Sequence, residues 1–266
     1  MSTLRVRPAA VAGAFYPAEP DALRAAVQWA LEEAPAGVGS GPAPKAIIAP
    51  HAGYLYSGPV AGSAYARVLP RRGQVERVVL LGPAHTVPLA AVATVTADAF
   101  ETPLGLVPVD TAARDQLVEA GLVVVSDAAH ATEHSLEVHL PFLQVALGEV
   151  TVLPLVVGEV PASAVAAVLD QVWGGPETLV VLSTDLSHYH DHSTARELDG
   201  RTAAAILARR PDDVGRGDAC GVFPLRGLLA AAGQRDLDIE LLDLRTSADT
   251  AGHPERVVGY GAFAVG

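Results

Sequence analysis

The sequence has almost no lysine, a single cysteine and no apolar run of membrane-spanning length, and each shortage closes a class of function. Lys45 is the one lysine among 18 Lys and Arg residues, against 30 Asp and Glu, and the net charge is −12. No polybasic stretch is available for the phosphates of a nucleic acid or the headgroups of an anionic membrane, so neither is expected as a partner. Cys220 has no second cysteine to pair with. Its part must be packing, metal ligation or reactivity. The apolar runs fall short of the roughly 20 residues that a spanning helix needs. Residues 1–8 carry no apolar segment of signal-peptide length, so a cytoplasmic protein is expected. Internal repeats and low-complexity segments are also missing.

What is present is a large supply of core. Half of the 266 residues are apolar, and a chain of this length and composition is expected to form one α/β domain over residues 1–266. Residues 4–20 read as an extended segment packed on the body. Asp21 is placed to cap a helix reaching Ala34, with Leu23, Val27 and Leu31 on one face. After a Gly/Pro connector at 35–44, strands are expected near 45–49, 77–82 and 91–95. A loop at 100–105, a helix from Asp110 to Ala120 and a short strand at 123–125 follow. The stretch from Glu133 reads as a helix running to Leu147, with Pro141 inside it. A strand at 150–157, a helix at 161–172 and a strand at 178–183 make a βαβ unit, which favours parallel pairing. Helices near 59–68, 193–209 and 222–232 complete the set. Strands near 238–245 and 257–265 are expected to pair as an antiparallel edge. The fold class is therefore α/β, with a central, mostly parallel sheet flanked by helices.

The organising stretch is Lys45-Ala46-Ile47-Ile48-Ala49-Pro50-His51, a short apolar run of the kind that forms a buried parallel strand, ending in a histidine. The pattern recurs where residues 78–82 lead to His85, and where residues 179–183 lead to Asp185 and His188. Open α/β sheets bind ligands beyond the carboxyl ends of their strands. His51, His85 and Cys220 are all competent ligands for iron, copper or zinc, and a set of three leaves coordination positions open, as catalytic sites do. Asp185 and His188 stand at the same sheet edge. A histidine there can act as general acid and base, with the carboxylate fixing its tautomer or joining the metal shell. His134 is placed to line the pocket, whereas His139 falls further into its helix. Glu133 stands where a helix start would make it a dipole-complementing cap, and His190 and His192 read as a solvated turn. No G-x-S-x-G elbow supports a serine hydrolase, and residues 58–62 lack the Lys and Ser/Thr of a phosphate loop.

These motifs together resemble one family. Pro50-His51-Ala52-Gly53-Tyr54, Gly82-Pro83-Ala84-His85, Glu133 to Pro141, Ser183 to Tyr189 and Ala219-Cys220-Gly221 are similar, in order, to the Memo family, also called AmmeMemoRadiSam system protein B. Ala12 to Pro17 and Val258 to Gly261 fit it as well. The resemblance implies a fold like that of LigB-type class III extradiol dioxygenases. It implies a metal site of His51, His85 and Cys220 taking iron(II) or copper, and His188 in the acid/base position with Asp185 and His134 beside it. AMMECR-type and radical SAM proteins are the partners it suggests, and a small molecule or a peptide is the ligand expected in the pocket. The dioxygenases complete two histidines with a carboxylate; here the third position is Cys220, a softer and oxidisable ligand. Three readings follow. They are a metal-dependent redox enzyme or metal-handling protein, a non-catalytic peptide- or protein-binding scaffold on the same fold, and a zinc metallohydrolase.

Overall fold

A computed structural model describes residues 4–38 and 41–266; the connector expected at 35–44 therefore lies partly outside the described residues. In chain order the chain forms β1 (Val6–Arg7), α1 (Pro20–Glu32), β2 (Ala46–Ala49), α2 (Tyr54–Ala66), β3 (Arg77–Pro83) and β4 (Val92–Thr94). There follow β5 (Ala99–Thr102), β6 (Gly105–Pro108), α3 (Thr111–Glu119), β7 (Val124–Val125), α4 (Asp127–Ala131), α5 (Leu140–Ala146), β8 (Thr151–Val157) and α6 (Ala162–Val172). The last third holds β9 (Thr178–Ser183), β10 (His188–His190), α7 (His192–Leu207), α8 (Val222–Gln234), β11 (Ile239–Thr246) and β12 (Val257–Val265).

The large sheet runs β10-β12-β2-β9-β3-β8-β4-β7, with β11 also on β12. Its centre, β2-β9-β3-β8, is parallel throughout. Both flanks turn antiparallel, through β12 on β2 and β4 on β8. The expected α/β architecture is thus present, with a mixed rather than mostly parallel sheet, and β11 and β12 pair antiparallel as the sequence suggested. A second sheet of three strands, β1-β5-β6, carries the N-terminal segment.

Why the central strands read as unbroken apolar runs is plain from their two faces. Ile47, Leu80, Val152 and Val181 pack on α1, α2 and α5 through Leu23, Val27, Val60, Tyr65 and Phe142. Their sequence neighbours Ile48, Leu81, Leu153 and Val180 pack on α6, α7 and α8 through Leu169, Ile206, Leu225 and Leu228. A strand covered on both faces has no position left for a polar residue until it ends.

Three expectations shift at their edges. Helix α1 starts at Pro20 with Glu19 as its N-cap and no side-chain cap, so Asp21 sits in the first turn instead; proline at the first helical position explains the choice. Helix α2 begins at Tyr54 and runs through Gly58 and Pro59, five residues earlier than 59–68. The helix expected from Glu133 starts only at Leu140, after a single 3-10 turn at Glu137–His139, and Pro141 lies in its first turn. Asp110 does cap α3, accepting from the Ala113 N–H at 2.9 Å.

Helices α1 and α2 meet at Gly62, where a Cβ would lie 1.9 Å from the carbonyl oxygen of Ala30. Gly62→Ala must push two buried helices apart and is expected to cost about 1–3 kcal/mol, readable as a lowered urea midpoint. Burial also holds two imidazoles neutral: the pKa of His130, bonded to the Ala93 carbonyl at 3.1 Å, is lowered to about 4, and that of His139, whose Nδ1 lies 3.0 Å from the Tyr65 hydroxyl, to about 3. The unfolded chain protonates such groups near pH 6.5, so it binds more protons than the native state below that pH. Their contribution is complete above about pH 6.5 and is lost as the pH falls toward those folded values. Urea titrations between pH 6 and 4.5 should show stability falling with acid, and His130→Gln should flatten that slope by about one proton.

Candidate metal centre

The parallel register sets the site. Ala49 lies beside Ser183 and Leu81 beside Leu182, so β2, β9 and β3 end at one level and their next residues gather on one edge. His51 leaves β2 into the interior and is buried. Its backbone N–H donates to Asp185 Oδ1 at 2.8 Å, and its ring Nδ1 lies 2.6 Å from Ser183 Oγ. The Ser183 hydroxyl spends its single proton on the Ser135 carbonyl, also at 2.6 Å. Nδ1 of His51 must therefore carry the proton, which leaves Nε2 with the lone pair. Burial, reinforced by the neighbouring histidines, lowers the His51 pKa well below its usual value. The ring is neutral at pH 7, the form that binds metals.

His85 is exposed at the mouth and held from behind. Glu133, buried, accepts the His85 backbone N–H at 2.6 Å on Oε2 and the ring Nδ1 at 2.9 Å on Oε1. Oε1 also accepts the backbone N–H groups of His134 and Ser135 at 3.0 and 2.9 Å. Burial alone would raise the Glu133 carboxyl, but these donors outweigh it and pull it down to about 2. An ionised carboxylate only accepts, so the Nδ1 proton of His85 is also committed and its Nε2 is free. Ser135 completes the bracing by donating its hydroxyl to the Pro83 carbonyl at 2.9 Å. Gly82 permits this approach, since a Cβ there would stand 2.9 Å from Ser135 Oγ.

His134 follows directly, with Nδ1 3.4 Å from Glu133 Oε1 and its ring stacked on His85 at 4.8 Å between centroids. One ring nitrogen from each of His51, His85 and His134 lies within 4.8 Å of the others. His134, expected as a pocket-lining catalytic residue, thus belongs to the tightest group of ligand atoms among the described residues. Cys220, expected as the third ligand, sits against the same group, its Sγ 3.3 Å from His51 Nε2. Its thiol accepts the Asp185 N–H at 3.3 Å, and burial, then the Asp185 carboxylate, push its pKa up. Asp185 is itself raised to about 7 by burial, against the pull of the His51 and Ala52 N–H groups. Its carboxylate braces the His51 backbone rather than the His188 ring. His188 opens β10, half-buried and outside the three-imidazole group; its pKa is lowered by burial. His192 heads α7 with Nδ1 3.3 Å from Thr246 Oγ1; His190 is exposed as expected but ends strand β10, paired with Val257, instead of lying in a turn.

The donor set fits a metal ion. Three imidazoles, two with tautomers fixed by buried acceptors, and an adjacent sulfur are ligands for iron, copper or zinc. Sequence reasoning missed Ser183 and Ser135, and read Glu133 as a helix cap. The signal for Ser183 was slight: a polar residue ending an otherwise apolar strand.

Fold and cluster define an α/β protein with a candidate metal centre at its strand ends. A family profile described as Memo-like protein matches residues 7–264, and the chain belongs to that family. It is 37% identical over 284 residues to a MEMO1 family protein of Methanopyrus kandleri, covering 97% of this chain and 98% of the relative. A MEMO1 family protein of Aquifex aeolicus is 35% identical over 269 residues, covering 97% and 98%. Among solved structures, an uncharacterized protein from Escherichia coli K12 aligns with a TM-score of 0.54 at 15% identity, over 83% of this chain and 99% of that one. At that identity the likeness speaks for the fold alone.

Removing the hydroxyl that fixes the His51 tautomer should weaken metal binding without removing a ligand. Ser183→Ala is expected to raise the Kd for Zn(II) or Fe(II) by roughly 10- to 100-fold, measured by anaerobic competition with a chromophoric chelator. An unchanged Kd would show that the Ser183 bond has no hold on the ligand.

Proposed function

We propose that this protein binds a redox-active transition-metal ion, iron or copper, on its strand-end histidines with Cys220 alongside, and that it works as a metal-dependent oxidoreductase or a metal-handling protein. The observation that carries this reading is the commitment of both Nδ1 protons, on His51 to Ser183 and on His85 to Glu133. Buried acceptors placed behind two neighbouring imidazoles make the opposite nitrogens permanent lone-pair donors, which a structural histidine does not need. An ion held there would supply one-electron chemistry and a Lewis-acidic centre.

The remaining roles belong to side chains of the chain. His85, exposed, faces the solvent side of the cluster, while His51 and Cys220 close its inner side. Asp185 fixes the backbone from which the His51 ring projects. His188, neutral at pH 7, is the group we assign to accept or return a proton near the mouth. Among the described residues no helix is long and apolar enough to cross a membrane.

Metal analysis of the full chain purified without oxygen tests the reading directly. Near-stoichiometric iron or copper is expected, lost in His51→Ala. Cys220→Ser should weaken Cu(I) far more than Mn(II), because it removes the soft donor. No ion retained, and none taken up on reconstitution, would overturn the metal reading and leave a binding scaffold in its place.

A further inference from the structure

Beside the cluster runs a groove of about 440 Å³, between the loop joining β3 to β4 and the start of α8. Val87, Pro88 and Leu89 form one wall, Val157 and Phe223 the other, and Cys220 lies at its inner end. The groove adjoins the candidate metal centre in two ways. The thiol at its end is 3.3 Å from His51 Nε2, and the wall carrying Val87 is the same loop that carries His85. Among the described residues lining it, Glu159 is the only charged one, and its carboxylate is paired at 3.0 Å with Arg216. That guanidinium in turn stacks 5.0 Å over the Phe223 ring, so the one ion pair closes over the outer wall.

A space of this size lies within the range of small-molecule sites, which are mostly apolar with polar groups at one end. Here the polar inner end is the Cys220 thiol, with the His51 imidazole 3.3 Å beyond it. We propose that the groove holds the apolar body of a small organic substrate, uncharged along its length, whose single polar head reaches the cluster. The substrate assignment rests on the metal reading above; the groove's preference for an apolar body does not. A charged body would have to shed water against Val87, Leu89 and Phe223 with no partner in return.

The single cysteine makes the groove measurable. The full chain, as purified and again after chelation, is treated with N-methyl-, N-ethyl-, N-propyl- and N-butylmaleimide, and alkylation of Cys220 is followed by mass spectrometry. Each rate is divided by that for glutathione. The ratio is expected to rise roughly fourfold per added methylene, as burial of each CH₂ requires, and to keep rising after chelation. Val87→Asp and Phe223→Ala, on opposite walls, should each flatten the series. A flat series in the wild type, or a rise that neither substitution touches, would overturn the proposal. Metal content of the same wild-type samples separates the two readings. A rising series without metal uptake would sink the metal centre and keep the groove, whereas metal with a flat series would do the reverse.

Discussion

The carboxylate of Glu133 is the constraint on which the site depends. It is buried and accepts four N–H groups, two from His85 and one each from His134 and Ser135. An ionised group out of water is costly unless its lone pairs are filled, and here the donors that fill them are the loops that carry two of the three imidazoles. The cost of burying the charge and the placement of the histidines are therefore one and the same balance. A neutral isostere would leave the loops with donors facing a weaker acceptor, and the two imidazoles would lose their common reference.

A second buried acid fixes the ground beneath. Glu137 pairs with Arg7 and accepts the Tyr16 hydroxyl at 2.6 Å and the Ala10 and Val11 N–H groups. Arg7 also donates to the carbonyls of His130 and Glu133. The N-terminal segment is thus tied to the residues on either side of the Glu133 turn. Phe15, held by that tie, lies 4.7 Å from the His134 ring. The two carboxylates, four residues apart, do unlike work: one orients imidazoles, the other anchors the segment whose Phe15 packs beside them.

How much of this the sequence discloses depends on how local the cause is. The strands of the centre were legible because burial on both faces writes an unbroken apolar run, and the histidines after β2 and β3 were legible because the runs stop at them. The stretch after Thr132 was misread because Glu133 and the apolar residues at 136, 140, 143 and 147 have the spacing of a helix face that starts there. In fact the first residues spend their N–H groups on the Glu133 side chain, and Pro141 lets α5 begin only afterwards. Ser135 had no signature and Ser183 only a faint one, since their importance comes from meeting across 48 residues of sequence. Cys220 and His134 were both named, but their relative nearness to His51 is a property of packing. Spacing does not encode it.

Strand β12 lies between β2 and β11, and β2 is the strand that ends at His51. On the ribosome, β2 and β9 can pair once residue 183 has emerged, yet the other edge of β2 stays bare until residues 257–265 are made. An unpaired edge beside Ile47 and Ile48 is a poor platform for a rigid ligand. Sheet closure is thus a late event of biosynthesis, and the edge from which the His51 ring projects is among the last parts of the sheet to become rigid.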